Sequence, residues 1–173
     1  MYFYVLVCYN PNGGGKIKKV LKVFVALLTV AVLCGCGTSN EEKVVKCTSS
    51  QKDLNNGYEL KSEYTIYAQG NVVKSVKIKE VVTSDQESIL SYFQITLNTT
   101  YENFNKEYGG YTYEVVKEEN TVISNVEIDY TKMDLDKFSK DQSSIKSAMN
   151  DNNELTLDGM KSMYKSLGAT CEE

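Results

Sequence analysis

Between Tyr58 and Ile78 the side chains alternate with a period of two on both sides of a tight turn, and few folds accommodate that. Tyr58, Leu60, Ser62, Tyr64 and Ile66 alternate with Glu59, Lys61, Glu63 and Thr65, the pattern of a strand with one face buried and the other wet. Gly70-Asn71 supplies the turn, because glycine adopts the positive φ that a tight hairpin needs. Val72, Val76 and Ile78 then alternate with Val73, Ser75 and Lys77 on the return strand. A lone hairpin is marginal in water, so its apolar face must meet further strands or a helix.

The helix follows directly. Ser84-Asp85-Gln86-Glu87 has the form of a capping box, with Ser84 serving the first amides and Glu87 reaching back. Leu90, Phe93, Leu97, Tyr101, Phe104 and Tyr108 recur at three- and four-residue steps, one apolar stripe suited to packing on a sheet. Gly109-Gly110 ends it. Upstream, Val44, Val45 and Cys47 predict a short first strand. Downstream, Tyr111 to Glu118 and Thr121 to Tyr130 predict two strands about a Glu119-Asn120 turn, with Val122, Val126, Ile128 and Tyr130 on one face. Asp134 to Met149 reads as a polar loop with a short helix. Thr156 caps a last helix from Leu157 to Leu167, its inward residues Leu157, Met160, Tyr164 and Leu167, and Gly168 stops it. Ala169 to Cys171 then runs back beside the first strand. The whole predicts an α+β fold, an antiparallel sheet of about five strands with one long and one shorter C-terminal helix packed on one face. Residues 43–173 make one domain.

Composition removes several chemistries. The chain has no His, no Arg and no Trp, and Pro11 is its one proline. The usual general base near neutral pH is therefore missing, as is bidentate recognition of phosphate or carboxylate. Ser-x-x-Lys occurs at Ser49/Lys52, Ser143/Lys146 and Ser162/Lys165, without the further Ser and Lys-Thr-Gly elements that penicillin-binding enzymes require. Asp151-Asn152-Asn153-Glu154 opens like a calcium loop, but Leu155 holds the fifth position and the glycine at the sixth is missing. Glu127, Asp129 and Asp134 form a candidate acid cluster, more simply read as solvated residues near a strand end. The expectation is a protein that is not an enzyme, with no cofactor and no metal.

The first 36 residues carry a separate message. Lys16, Lys18, Lys19 and Lys22 precede Val23 to Leu33, a run that is apolar except for Thr29. A basic region, a short apolar region and small residues make a secretory signal, and the run is well short of the ~20 apolar residues of a membrane span. Leu33-Cys34-Gly35-Cys36 resembles the lipobox of bacterial lipoproteins. That resemblance implies cleavage between Gly35 and Cys36 and a diacylglyceryl group on the Cys36 thiol. The expected organisation is a signal peptide over 16–35, a lipid-anchored tether over 36–42, and the domain beyond. Residues 1–15, MYFYVLVCYNPNGGG, read as an extension from a gene start placed too early. Six residues from Gly37 to Glu42 reach at most about 20 Å, so the domain would stand close over the bilayer. All 23 acidic residues and all but four of the 19 lysines follow Cys36. Such a net-acidic domain is repelled by anionic headgroups and by nucleic acid, so the lipid would do the holding and nucleic acid is not a partner.

Processing would leave Cys47 and Cys171 as the remaining pair, near opposite ends of an exported domain. One disulfide is the expectation, with two free thiols as the alternative. The lipobox, the hairpin YTIYAQGNVVKSVKIK, the helix end NFNKEYGGYTYEV, the segment VEIDYTKMDLDKF and the closing LTLDGMKSMYKSLGATC together resemble the YehR-like bacterial lipoproteins. The most specific piece is Ile128-Asp129-Tyr130 with Asp134 four residues on. The resemblance implies a small exported domain on the extracytoplasmic face of the cell membrane and brings no catalytic signature. The functional expectation is a lipid-anchored binding domain for an envelope protein, a peptide or wall material; the alternative is a small-molecule or cation binder assisting a transporter.

Overall fold

The computed structural model describes residues 41–172. The stretches expected to be an extension (1–15) and a signal peptide (16–35), with Gly35, Cys36 and the expected tether up to residue 40, lie outside the described residues.

Six strands form one antiparallel sheet in the order β4-β5-β3-β2-β1-β6. They are β1 (Glu42–Asp53), β2 (Tyr58–Gln69), β3 (Val72–Ser84), β4 (Tyr111–Lys117), β5 (Thr121–Asp129) and β6 (Thr170–Cys171). The helices are α1 (Glu87–Tyr108), α2 (Leu135–Asp141), α3 (Ser143–Lys146) and α4 (Leu157–Ser166). The α+β reading holds, with six strands in place of about five. The first strand is much longer than Val44–Cys47 suggested. Thr48 to Asp53 is polar and carries no apolar alternation, yet it stays in register with β2 from Glu63 to Tyr58. A partner strand supplies hydrogen bonds whatever the side chains.

The β2–β3 hairpin turns at Gly70, with φ 62°. Its register shifts at Tyr67/Ala68, where Tyr67 faces Ser75 and Ala68 faces Val73, so Lys74 is the extra residue of a bulge. The bulge reverses the parity of the start of β3. Val73, expected on the wet face, is buried at 3% exposure, and Val72 is not a core residue.

The capping box does not form. Ser84 is still paired with Tyr58 in the sheet, so its hydroxyl donates to the Gly57 carbonyl at 2.7 Å and accepts from the Gln86 amide at 3.1 Å. The helix starts two residues later, with Gln86 as an N-cap lacking a side-chain bond. Glu87 turns outward to Lys117. The apolar stripe behaves as read: Leu90, Tyr101 and Tyr108 are buried, while Phe93, Leu97 and Phe104 pack against the core.

Asp134 to Met149 holds two short helices rather than one. Asp134 caps α2 by accepting from the Lys137 amide at 3.0 Å. At α4 the Thr156 hydroxyl accepts from the Gly159 amide at 3.1 Å, the cap expected there. Gly159 has no room for a side chain, because a Cβ there would sit 2.4 Å from the Ala148 carbonyl oxygen. Met160 and Tyr164 point inward, but Leu167 is 65% exposed, against expectation. The helix ends at Ser166, and Gly168 at φ 86° reverses the chain, so Ala169 takes the inward place instead. β6 then pairs with β1 through Cys47↔Cys171 and Thr48↔Thr170. The two sulfur atoms are 2.05 Å apart, a disulfide distance.

Candidate functional site

The core is divided. A larger cluster gathers Ile66, Val76, Val126, Met160 and Tyr164, and a smaller one gathers Val82, Leu90 and Val122. Between them the registers align a polar rung across four strands on the helix-covered side. Ser49 of β1 faces Ser62 of β2, Ser62 faces Glu80 of β3, and Glu80 faces Ser124 of β5. Ser62 is 5% exposed and Ser124 fully buried, positions where an apolar side chain is the norm.

Glu80 is the charge in this row. Tyr101, reaching down from α1, donates to Glu80 Oε2 at 2.5 Å, and Ser124 donates to the same oxygen at 2.7 Å. Two donors on one oxygen leave Oε1 for a further partner. Burial drives the Tyr101 phenol far above its ordinary range, and the adjacent Glu80 charge adds to this. Burial likewise pushes Tyr164 up, with further contributions from Tyr64, Tyr111, Glu80 and Tyr101. Tyr111 is raised by burial and then by Tyr108. Glu80 forms no ion pair among the described residues.

The rung opens at its β1 end into a cleft of about 330 Å³ beside the end of α4. Ser49, Ser50, Gln51, Ser62 and Glu80 are its polar lining, and Leu60, Tyr64 and Leu167 its apolar one. Tyr64 is held by stacking on Tyr164, ring centroids 4.2 Å apart. The uncovered face of the sheet carries a different surface. Lys77, Lys79, Glu63, Glu114 and Glu127 line a shallow depression of about 450 Å³ there. Its alternating charges are those of a solvated sheet face.

Most residues singled out from sequence are kept apart. Ser49 and Lys52 are three apart on a strand and so point to opposite faces. Ser143 and Lys146 are the exposed ends of the one-turn α3, and Ser162 and Lys165 are exposed on α4. The acid cluster dissolves into three separate partnerships. Glu127 pairs with Lys77 at 3.7 Å, Asp134 caps α2, and Asp129 binds Lys132 and Thr131. The Lys132 ammonium, then the Thr131 hydroxyl, hold the Asp129 carboxyl below its usual range. In the 150–154 turn, Asn150 Oδ1 accepts from the Asn152 and Glu154 amides, and its Nδ2 donates to Glu154. That loop is organised by Asn150 itself. Among the described residues no group of three or more His, Cys, Asp or Glu side chains is placed to hold a metal ion. Cys47 and Cys171 are brought together.

Sequence reading missed Glu80, Ser124 and Tyr101 as a group. The signal was present in part: Ser62, Glu80 and Ser124 each occupy an inward position of a period-two pattern, where a polar residue is the exception.

These features define an open-sheet α+β domain whose helices lie on one side and whose termini are tied at β1. The domain has a YehR-like fold: it is similar to the NMR structure of the Escherichia coli YehR protein, at 18% identity and a TM-score of 0.51, over 76% of this chain and 91% of that one. An NMR structure of a protein from Streptococcus pneumoniae TIGR4 aligns at 14% identity and a TM-score of 0.43, over 99% of this chain and 97% of that one. No family model matches the sequence, and no curated protein matches it. No helix among the described residues is long and apolar enough to cross a membrane.

Proposed function

We propose that this chain is a lipid-anchored domain on the extracytoplasmic face of a bacterial membrane, where it binds a protein or peptide of the cell envelope. The observation that carries the reading is the Cys47–Cys171 pair at bonding distance in a chain whose Leu33–Cys36 segment resembles a lipobox. Disulfides persist in oxidising compartments outside the cytoplasm, and a lipobox both exports and tethers. Two or more acyl chains hold a protein stably at a bilayer, whereas one does not. With Cys36 as the first mature residue, fifteen lysines against 23 acidic residues leave the domain at −8, which favours a partner carrying positive charge. Intact mass of membrane-extracted protein, with and without reduction before alkylation, tests the reading. The expected mass begins at an acylated Cys36, with Cys47 and Cys171 alkylated only after reduction. A mass without lipid, or thiols that alkylate freely, overturns it.

A further inference from the structure

We infer that the Glu80 cleft is a binding site for a primary ammonium group carried on a short aliphatic chain. The inference rests on the reading of this domain as a binding module, and not on its anchorage.

The cleft holds an unmatched charge. Glu80 is half-buried, its Oε2 oxygen is occupied by the Tyr101 and Ser124 hydroxyls, and no lysine among the described residues pairs with it. A charge set partly below the surface is costly unless something compensates it. Two hydroxyl donors do so in part and orient the carboxylate, with Oε1 remaining for a cation. Ser62, buried at 5% exposure, and Ser49 stand in the same rung on the cleft side. Their hydroxyls are further acceptors in line with Glu80.

The chemistry of the lining selects among cations. An ammonium is a compact charge with three donors and suits one carboxylate oxygen flanked by hydroxyls. A guanidinium prefers both oxygens of a carboxylate as a fork, and here one oxygen already takes two bonds. Calcium prefers six to eight oxygens with several carboxylates, whereas Glu80 is the one carboxylate in this lining. An anion meets repulsion from Glu80. The apolar half of the cleft, Leu60, Tyr64 and Leu167, fits methylene groups behind the charge, and an aromatic ring beside a cation adds attraction. Leu167 lies 65% exposed at this rim, an apolar side chain with no core to fill. The volume of about 330 Å³ falls at the lower end of small-ligand sites, about 300–1,000 Å³.

An NMR titration of the full-length chain in detergent micelles tests the site, with n-pentylammonium chloride as probe and n-pentanol and calcium chloride as controls. Saturating shifts at the Ser62, Glu80 and Gly168 amides are expected with the amine alone. Glu80→Gln keeps an acceptor for Tyr101 and Ser124 but removes the charge, and should weaken the amine by about ten-fold or more. Should that variant fail to fold, Leu167→Lys at its exposed position sets a competing ammonium at the rim and should weaken binding by a similar factor. Equal shifts with pentanol, saturation by calcium instead, or an amine affinity unchanged in a folded variant overturns the inference. A peptide, acetyl-Gly-Lys-Gly-amide, identifies the source of the ammonium. Tighter binding than pentylammonium assigns it to a lysine side chain, and weaker binding to a free amine, each in support of the site. A failed titration leaves the mass measurement on anchor and disulfide untouched, so the two readings stand or fall separately.

Discussion

Reducing the Cys47–Cys171 bond is the perturbation with the largest expected effect. The bond joins residues 124 apart, so the unfolded chain is closed into a loop that spans nearly the whole domain. In the chain-entropy account a loop of that length corresponds to about 5 kcal/mol at 25 °C. Domains of this size are stable by roughly 5–15 kcal/mol in total, so reduction should remove a third or more. The native state should still persist. Met160 and Tyr164 remain buried in the core, and the chain ahead of α4 is held to the β2–β3 turn by the Val73 amide to the Leu155 carbonyl and the Leu157 amide to the Asn71 carbonyl. β6 has only two residues in the sheet and is the element that should fray. The assay is urea unfolding of oxidised and reduced protein, followed by far-ultraviolet circular dichroism and tyrosine fluorescence. For an m-value near about 2 kcal/mol/M the midpoint should fall by about 2–3 M. The m-value itself should rise, because an unfolded chain freed of its cross-link exposes more surface. Replacing Cys171 by Ser should match the reduced protein. A midpoint shift below about 0.5 M with m unchanged would refute the reasoning, since a loop of this length cannot be opened without consequence in the unfolded state.

Two further outcomes follow from the packing. Gly159→Ala should destabilise by about 1–3 kcal/mol through overpacking, although helix propensity alone favours alanine by about 1 kcal/mol. The added Cβ would meet the Ala148 carbonyl at 2.4 Å, and a gain in urea midpoint would show that α4 moves aside freely. Alkaline pH should unfold the domain through its tyrosines. Tyr101, Tyr111, Tyr130 and Tyr164 are all raised, chiefly by burial, so the unfolded state releases those protons first. Their stabilisation is intact below the unfolded phenol value and, above about pH 10, is lost at about 1.4 kcal/mol per pH unit for each residue. Tyrosinate absorbance should rise together with unfolding, and ready titration of these four in the folded state would contradict the burial argument.

What was legible in the sequence followed from local rules. The β2–β3 hairpin, the α1 stripe and the Thr156 cap each rest on residues within a few positions of one another, and each is found. The failures have specific causes. Ser84 looked like a cap because the motif is local, yet the sheet holds it in register with Tyr58 and its hydroxyl goes to Gly57. Val73 changed faces because a bulge at Lys74 shifts parity by one, which alternation cannot signal. Leu167 looked inward because helical spacing was extended one residue past the end set by Gly168. The polar half of β1 was invisible because its strand conformation comes from β2.

By itself, then, the sequence determined the periodicities, the α+β class, the expectation of a cleavable lipobox and the candidate cysteine pair, because these depend on residue type and short spacing. The tertiary structure decided which strands are neighbours, and so which side chains share a row. Ser49, Ser62, Glu80 and Ser124 are up to 75 positions apart in the chain, yet antiparallel register sets them side by side. Tyr101 joins them only because α1 crosses that row. Pairing register is a property of the whole sheet, settled by burying one face everywhere at once, and the cleft beside Glu80 exists only where that sheet meets the end of α4.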